Sequence, residues 1–353
     1  MIYSIHLLRG IAALLVAGFH LHEAATREGY STFFFNIFAH GEIGVDIFFV
    51  ISGFVIYLSA EAGRSYSVRG FFEKRFWRIY PVYWAVLSFY IALGVAYYVL
   101  LGDPSRLPTL KSLVSSYLLL PTSDYIIVIA WTLALEVVFY ALFAATYRHQ
   151  SRNWLFFGVL AGWALVGQWL RLNPIDPASV PIIHPGLLFH TAVAEFLFGA
   201  LIAYAYTHAA KQERDWMPLQ KLALIAGAAL LAAALAGSAD MAKGAGLSLG
   251  REITAGIPAA LFIYGVVHYR RTAGKTALVF GDSSYLLYLC HTAVYLILGA
   301  LLSRGLGINL YASEATMAGA LIAAVLTAGC LHLWAEKPYQ AWYKRRLVRK
   351  SSS

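Results

Sequence analysis

Hydrophobic residues in this chain form long runs that recur from one terminus to the other, separated by short polar segments. Most runs approach the roughly 20 residues that an α-helix needs to cross a bilayer. The pattern therefore predicts an all-α, multi-pass membrane bundle of about ten helices. The predicted spans are 4–22, 41–60, 79–101, 126–147, 154–170, 185–208, 219–237, 250–269, 283–303 and 315–334.

The composition agrees with a membrane protein. Of the 353 residues, 60% are hydrophobic and 13% are charged, whereas about a quarter of the residues in soluble domains are charged. We expect one transmembrane domain over 1–342 and a basic cytoplasmic tail over 343–353. The net charge of +9 does not indicate a nucleic-acid partner, because the basic residues lie in short loops between apolar runs. The histidines and the two cysteines lack the spacing of zinc ligands, so no metal site is predicted.

The distribution of basic residues predicts the orientation. Ten crossings would place both termini on one side of the membrane. If that side is the cytoplasm, the inner loops and the tail hold 19 Lys and Arg residues, and the outer segments hold 7. This asymmetry favours cytoplasmic termini, because basic residues concentrate in cytoplasmic loops.

Two ionisable residues, Arg9 and His20, interrupt the first apolar run. They are eleven residues apart. Around a helix that is about 1100°, or three full turns plus roughly 20°, so they project from the same face. They are separated by roughly 16 Å along the axis, about half the hydrocarbon thickness. Each side chain alone could extend to its nearer headgroup layer. Together on one face they favour a polar pathway through the bundle.

Two acidic residues fall inside later runs. Asp46 would lie near the depth of His20, where it could orient the imidazole or remain a carboxylate at the outer interface. Glu136 is about ten residues from either end of the fourth span, near mid-membrane, where a carboxylate is most costly. Its depth favours a functional role or a partner in a functional cavity.

Further candidates are basic or aromatic. Arg75 and Arg78 would stand at the inner mouth of the third span, in "FFEKRFWRIYPVYW". They could anchor the helix among interfacial aromatic residues or bind phosphate groups through their guanidinium forks. His291 lies within the ninth span and could be a core histidine or a site residue.

Six motifs occur in the order typical of the bacterial acyltransferase-3 family of membrane O-acyltransferases, which the chain resembles from Arg9 to Trp342. It is similar to the short, transmembrane-only members that modify exopolysaccharide or O-antigen. In the fourth motif Val137 stands where many members have a second acidic residue. The role that the resemblance implies for an acid in this motif can therefore be assigned only to Glu136. The motifs are "LRGIAALLVAGFH", "GVDIFFVISGFVIY", "FFEKRFWRIYPVYW", "WTLALEVVFY", "SSYLLYLCH" and "EKPYQAW".

The resemblance implies an enzyme of the bacterial inner membrane that moves an acyl group, in the simplest case acetyl, from acyl-coenzyme A to a hydroxyl of a surface or exported glycan. It also implies that His20 is the essential catalytic residue, acting directly or as an acyl carrier. The alternative is a transporter or flippase, because transporters also place charges in midplane cavities. The predicted roles are catalytic for His20, Asp46 and Glu136, donor-binding for Arg9, Arg75 and Arg78, and substrate-binding for His291.

Overall fold

A computed structural model of the protein describes residues 2–63, 66–149, 151–176, 183–211, 217–237, 250–267 and 275–351. Within these ranges every regular element is helical, which confirms the all-α prediction. The helices are α1 (Tyr3–Arg27), α2 (Ile43–Glu61), α3 (Val68–Leu101), α4 (Leu110–Leu118), α5 (Ala130–Thr146), α6 (Trp154–Leu172), α7 (Pro185–Leu188), α8 (Val193–Lys211), α9 (Met217–Leu235), α10 (Ile257–Val266), α11 (Lys275–Asp282), α12 (Ser284–Leu306), α13 (Glu314–Leu331) and α14 (Lys337–Ser351).

The helices are those of a multi-pass membrane protein. In the described part of the chain, eight helical spans are long and apolar enough to cross a bilayer. Two shorter apolar helices, Ala130–Thr146 and Glu252–Val266, correspond to the fourth and eighth predicted spans. The last residues of the predicted span 250–269, namely 268 and 269, lie outside the described residues.

Helix α3 begins at Val68, eleven residues before the predicted start at 79. The side chain of Ser67 accepts a hydrogen bond from the backbone N–H of Gly70 at 3.3 Å and so caps this earlier start. Pro81 lies inside the helix without ending it. Arg75 and Arg78 consequently belong to the helix itself, and the boundary prediction was wrong by about three turns.

Helices α13 and α14 are joined by a π-helical segment, His332–Glu336, so that one continuous helical rod extends to Ser351. Residues 343–351 of the predicted tail therefore continue the last helix. Residues 352 and 353 of that tail lie outside the described part of the chain.

The chain divides into two compact units: Met1–Ile51 with Ala209–Ser353, and Ser52–His208. In the first unit α1 packs against α11 and α12, and α9 packs against α10. Small residues allow close contact between α1 and the start of α2, where a Cβ at Gly44 would clash with the carbonyl oxygen of Ala12. Ala12 and Ala13 of α1 are completely buried.

The second unit is packed largely through aromatic rings. Phe139 of α5 stacks on Phe196 of α8 with ring centroids 4.4 Å apart. Gly53 permits this packing, because a Cβ there would clash with the backbone carbonyl of Phe196. Phe143, one turn after Phe139, is also completely buried and stacks on Phe71 of α3. These contacts hold α2, α3, α5 and α8 around one core.

Candidate functional site

The His20 side chain lies in the first unit, on the face of α1 that meets α12. Its Nδ1 is 2.9 Å from the carbonyl oxygen of Val16, one turn earlier in the same helix. The same Nδ1 is 3.1 Å from Nε2 of His291, and the two ring centroids are 5.0 Å apart. Two candidates separated by 271 residues in the sequence are therefore in direct contact.

His291 is completely buried in α12. Its Nδ1 is 3.0 Å from the carbonyl oxygen of Leu287, so both of its ring nitrogens have partners. One turn further on, the Tyr295 hydroxyl donates a hydrogen bond to the carbonyl oxygen of Ala17 at 3.1 Å. This second bond between α12 and α1 fixes the register in which the two imidazoles meet.

Arg9 lies on the same continuous helix as His20, since α1 extends from Tyr3 to Arg27 without a break. The helical geometry assumed for the sequence prediction therefore holds, with both residues on one face about three turns apart. Both side chains are half-buried.

Asp46 is only 1% exposed, and its carboxylate is bound by Arg251. Nε of Arg251 is 2.8 and 2.9 Å from the two carboxylate oxygens, and Nη2 is 2.7 Å from Oδ2. Nη2 also donates to the backbone carbonyl of Glu42. The hydrogen-bond partners of His20 and of Asp46 are therefore different groups, although both residues belong to the first unit.

The sequence did not single out Arg251 as a candidate for the site. It was only one of the seven basic residues of the predicted outer segments. Its position at the second residue of the eighth predicted span, 250–269, was the available signal. The pairing itself joins residues 205 positions apart, and no local pattern predicts such a contact.

The second unit contains a polar cluster around Tyr140, which is 4% exposed. Oε1 of Glu136 accepts hydrogen bonds from the hydroxyls of Ser52 and Tyr140, each at 2.6 Å. The Arg75 guanidinium lies over the Tyr140 ring, with its Cζ 5.6 Å from the centroid. Glu136 and Arg75, predicted separately from two motifs, therefore share one neighbour.

Arg75 is held on several sides. Its Cζ is also 5.5 Å from the centroid of the Phe71 ring, and Nη2 donates to the Ser59 hydroxyl at 3.0 Å. Its Nε is buried and has no hydrogen-bond partner among the described residues. Arg78, one helical turn further along α3, is exposed. A rigid cation with an unused buried donor beside an exposed cation is an arrangement that suits an anionic ligand.

No group of three or more His, Cys, Asp or Glu side chains in the described ranges could hold a metal ion. The chemistry available is that of an imidazole pair in the first unit and of guanidinium, carboxylate and hydroxyl groups in the second. Such groups can accept protons, attack a carbonyl carbon and bind anions.

Comparison with known proteins identifies the family. A family model described as an acyltransferase domain, the acyltransferase-3 model, matches residues 2–334. The exopolysaccharide production protein ExoZ of Rhizobium meliloti (strain 1021) is 29% identical over 333 residues, which cover 90% of this chain and 93% of that protein. Protein 2 in the picA locus of Rhizobium radiobacter is 31% identical over 160 residues, covering 39% of this chain and 78% of that protein. No solved structure matches the chain.

The family match extends over nearly the whole chain and includes both the imidazole pair and the polar cluster around Tyr140. The apolar helices in the described part of the chain have the length expected for a protein embedded in a bilayer. The chain belongs to the acyltransferase-3 family, and the protein is an integral membrane acyltransferase.

Proposed function

We propose that the enzyme transfers an acyl group, in the simplest case acetyl, from acyl-coenzyme A to a hydroxyl of an exported or lipid-linked glycan. The similarity to a protein named for exopolysaccharide production supports a glycan as the acceptor. The observation that carries the proposal is the hydrogen bonding of His20, which leaves one defined ring nitrogen for chemistry.

The argument concerns the tautomer of each imidazole. A carbonyl oxygen only accepts hydrogen bonds, so Nδ1 of His20 must carry a proton to bond with Val16, and Nδ1 of His291 must carry one to bond with Leu287. In a neutral ring the other nitrogen then has a lone pair. The single Nδ1–H of His20 is therefore shared by two acceptors, the Val16 carbonyl oxygen and Nε2 of His291. Nε2 of His20 keeps its lone pair and is the basic atom.

In the direct route, Nε2 of His20 takes the proton of the acceptor hydroxyl as its oxygen attacks the thioester carbonyl carbon. The carbon–sulfur bond breaks, and the departing thiolate takes the proton from His20 to give the free coenzyme thiol. In the second route, Nε2 itself attacks the thioester carbonyl carbon, and the carbon–sulfur bond breaks to release the coenzyme thiolate. The acceptor hydroxyl then attacks the acyl-imidazole, the bond between Nε2 and the acyl carbon breaks, and the hydroxyl proton passes to the thiolate to give the free thiol. Both routes need the same tautomer.

Acyl-coenzyme A is polyanionic, and we assign its phosphates to Arg75 and Arg78, and also to Arg9 as predicted from the sequence. The unused buried Nε of Arg75 supports this role, since a guanidinium fork matches phosphate oxygens. The donor would arrive from the cytoplasm of a bacterial cell, and the protein would lie in the inner membrane with both termini inside. The 19-to-7 distribution of basic residues supports that orientation.

Of the two predicted acids, Glu136 keeps a proposed role beside the donor-binding Arg75, because Ser52 and Tyr140 fix its carboxylate and Arg75 lies over the Tyr140 ring. For Asp46 we propose a structural role, because Arg251 binds both of its oxygens.

The test is transfer of labelled acetyl from acetyl-coenzyme A to de-acylated surface polysaccharide by the purified protein. His20→Ala is expected to lower transfer by about a hundredfold or more, the scale of losing a general base. His208→Ala is a matched control, because His208 is also half-buried and bonds through Nδ1 to the carbonyl four residues earlier, at 2.9 Å. Near-normal activity of His20→Ala would remove His20 from the mechanism.

Two further outcomes are informative. If wild-type protein consumes no acetyl-coenzyme A, the proposed donor is wrong. If labelled donor without acceptor leaves acyl label on the protein, and His20→Ala abolishes that label, the route passes through acyl-His.

A further inference from the structure

A cleft of about 340 Å³ opens beside the end of α1 that follows His20. All of its lining residues belong to the first unit, and most come from α1 itself. Its volume is at the lower end of the roughly 300–1,000 Å³ typical of small-molecule sites. The lining residues are Phe19, His22, Glu23, Thr26, Arg27 and Ala39.

We propose that this cleft binds a sugar ring of the acceptor, an inference that rests on the proposed transfer to a glycan. A sugar ring presents hydroxyl groups around its edge and an apolar face of C–H bonds. Phe19 offers an aromatic ring for the apolar face. Glu23 can accept hydrogen bonds from hydroxyls, and Arg27 can donate to their oxygens. A mainly apolar site with a few polar groups is the usual composition of a ligand pocket.

The charged pair in the cleft is not required by the fold. Nη2 of Arg27 is 2.6 Å from Oε1 of Glu23, but the two side chains are 75% and 42% exposed. An exposed pair one helical turn apart stabilises a helix only slightly, because water screens it. Sugar hydroxyls could therefore replace these contacts at little cost to the folded protein.

The position of the cleft along α1 fits a substrate of His20. Glu23 and Arg27 follow His20 by three and seven residues, so they lie within about 60° of its face and about 4.5 and 10.5 Å further along the axis. The Phe19 and His20 rings meet edge to face with centroids 5.4 Å apart. A ring bound against Phe19 and Glu23 would thus present a hydroxyl close to His20.

Ala39, the lining residue outside α1, follows a segment that hydrogen bonds fix in place. Oε1 of Glu314, at the start of α13, accepts from the backbone N–H groups of Phe33, Phe34 and Phe35. Nδ1 of His22 lies 2.9 Å from the Thr32 hydroxyl. These bonds hold the segment that leads to Ala39 before any ligand arrives, and such preorganisation lowers the entropic cost of binding.

The experiment measures Michaelis constants for both substrates in Glu23→Gln and Arg27→Gln, with de-acylated surface polysaccharide of the host bacterium as the acceptor. Loss of one charged hydrogen-bonding group is expected to raise the acceptor constant about tenfold or more. The acetyl-coenzyme A constant and the thermal midpoint should stay unchanged, because the pair is exposed. Asp103→Asn, which removes a half-buried carboxylate from the second unit, is the control.

The outcomes separate this inference from the function on which it rests. If wild-type protein transfers no acetyl to the polysaccharide, the proposed function fails. If wild-type protein transfers acetyl and both cleft variants keep the wild-type acceptor constant, the cleft assignment is overturned. Binding of the same polysaccharide to His20→Ala protein, and its loss when Glu23→Gln is added, would support the cleft independently of turnover.

Discussion

Replacing Asp46 by asparagine tests whether this buried acid acts in catalysis or stabilises the fold of the first unit. The sequence pattern favours a residue that orients His20, whereas the structure gives its carboxylate three contacts of 2.7–2.9 Å from Arg251. Asparagine keeps the shape of the side chain and removes the charge. The substitution would leave a guanidinium, 35% exposed, without its carboxylate.

The expected loss of stability follows from this burial. Removing one partner of a fully buried ion pair costs about 3–5 kcal/mol. Solvent reaches part of the Arg251 side chain and screens its charge, so we expect about 2 kcal/mol for Asp46→Asn. With an unfolding entropy of about 2.1 cal/mol/K per residue, that loss lowers the thermal midpoint of this chain by about 3 °C.

The assay is thermal unfolding in detergent, followed by tryptophan fluorescence, with acetyl transfer measured on the same preparation below the transition. Arg251→Gln should resemble Asp46→Asn. The double variant should be more stable than the sum of the two losses predicts, by about 1 kcal/mol or more, because the residues are in direct contact.

One result would refute this reasoning. If Asp46→Asn melts within about 1 °C of the wild type but loses transfer by about a hundredfold, and the double variant is equally inactive, then Asp46 is a catalytic residue. The role predicted from the sequence pattern would stand, and the Arg251 pair would be a secondary feature.

Three other predictions concern the imidazole pair, the donor site and the orientation. His291→Leu removes one acceptor for the His20 Nδ1–H and should lower transfer by about ten- to hundredfold. The loss should be smaller than in His20→Ala, because the Val16 carbonyl still accepts that hydrogen bond. Wild-type activity of His291→Leu would show that the imidazole pair does not contribute to transfer. Arg75→Lys and Arg78→Lys keep the charge but lose the guanidinium fork, so the Michaelis constant for acetyl-coenzyme A should rise with the acceptor constant unchanged; unaltered donor constants in both variants would exclude the phosphate role. A C-terminal alkaline phosphatase fusion should be inactive and a C-terminal fluorescent protein fusion should fluoresce, whereas the reverse pattern would place the C-terminus outside.

The sequence by itself determined the class of the protein and the candidates for chemistry. Hydrophobic runs of membrane-spanning length leave a helical bundle as the architecture, because a lipid-exposed backbone must satisfy its own hydrogen bonds. Ionisable residues inside such runs are costly, so Arg9, His20 and Glu136 stood out without any coordinates. The eleven-residue spacing of Arg9 and His20 also fixed their common face, because helix geometry is local.

Only the tertiary structure decided which of these groups are partners. His20 meets His291, and Asp46 meets Arg251, across 271 and 205 residues of chain. The start of α3 was also missed, because the apolar run that predicts a membrane span begins only after Lys74, Arg75 and Arg78, whereas the helix begins earlier at the Ser67 cap. Periodicity records which face a side chain occupies on its own helix, but the packing of one helix on another sets which faces meet. That packing depends on contacts between distant segments, so the partner of His20 could be read only from the folded chain.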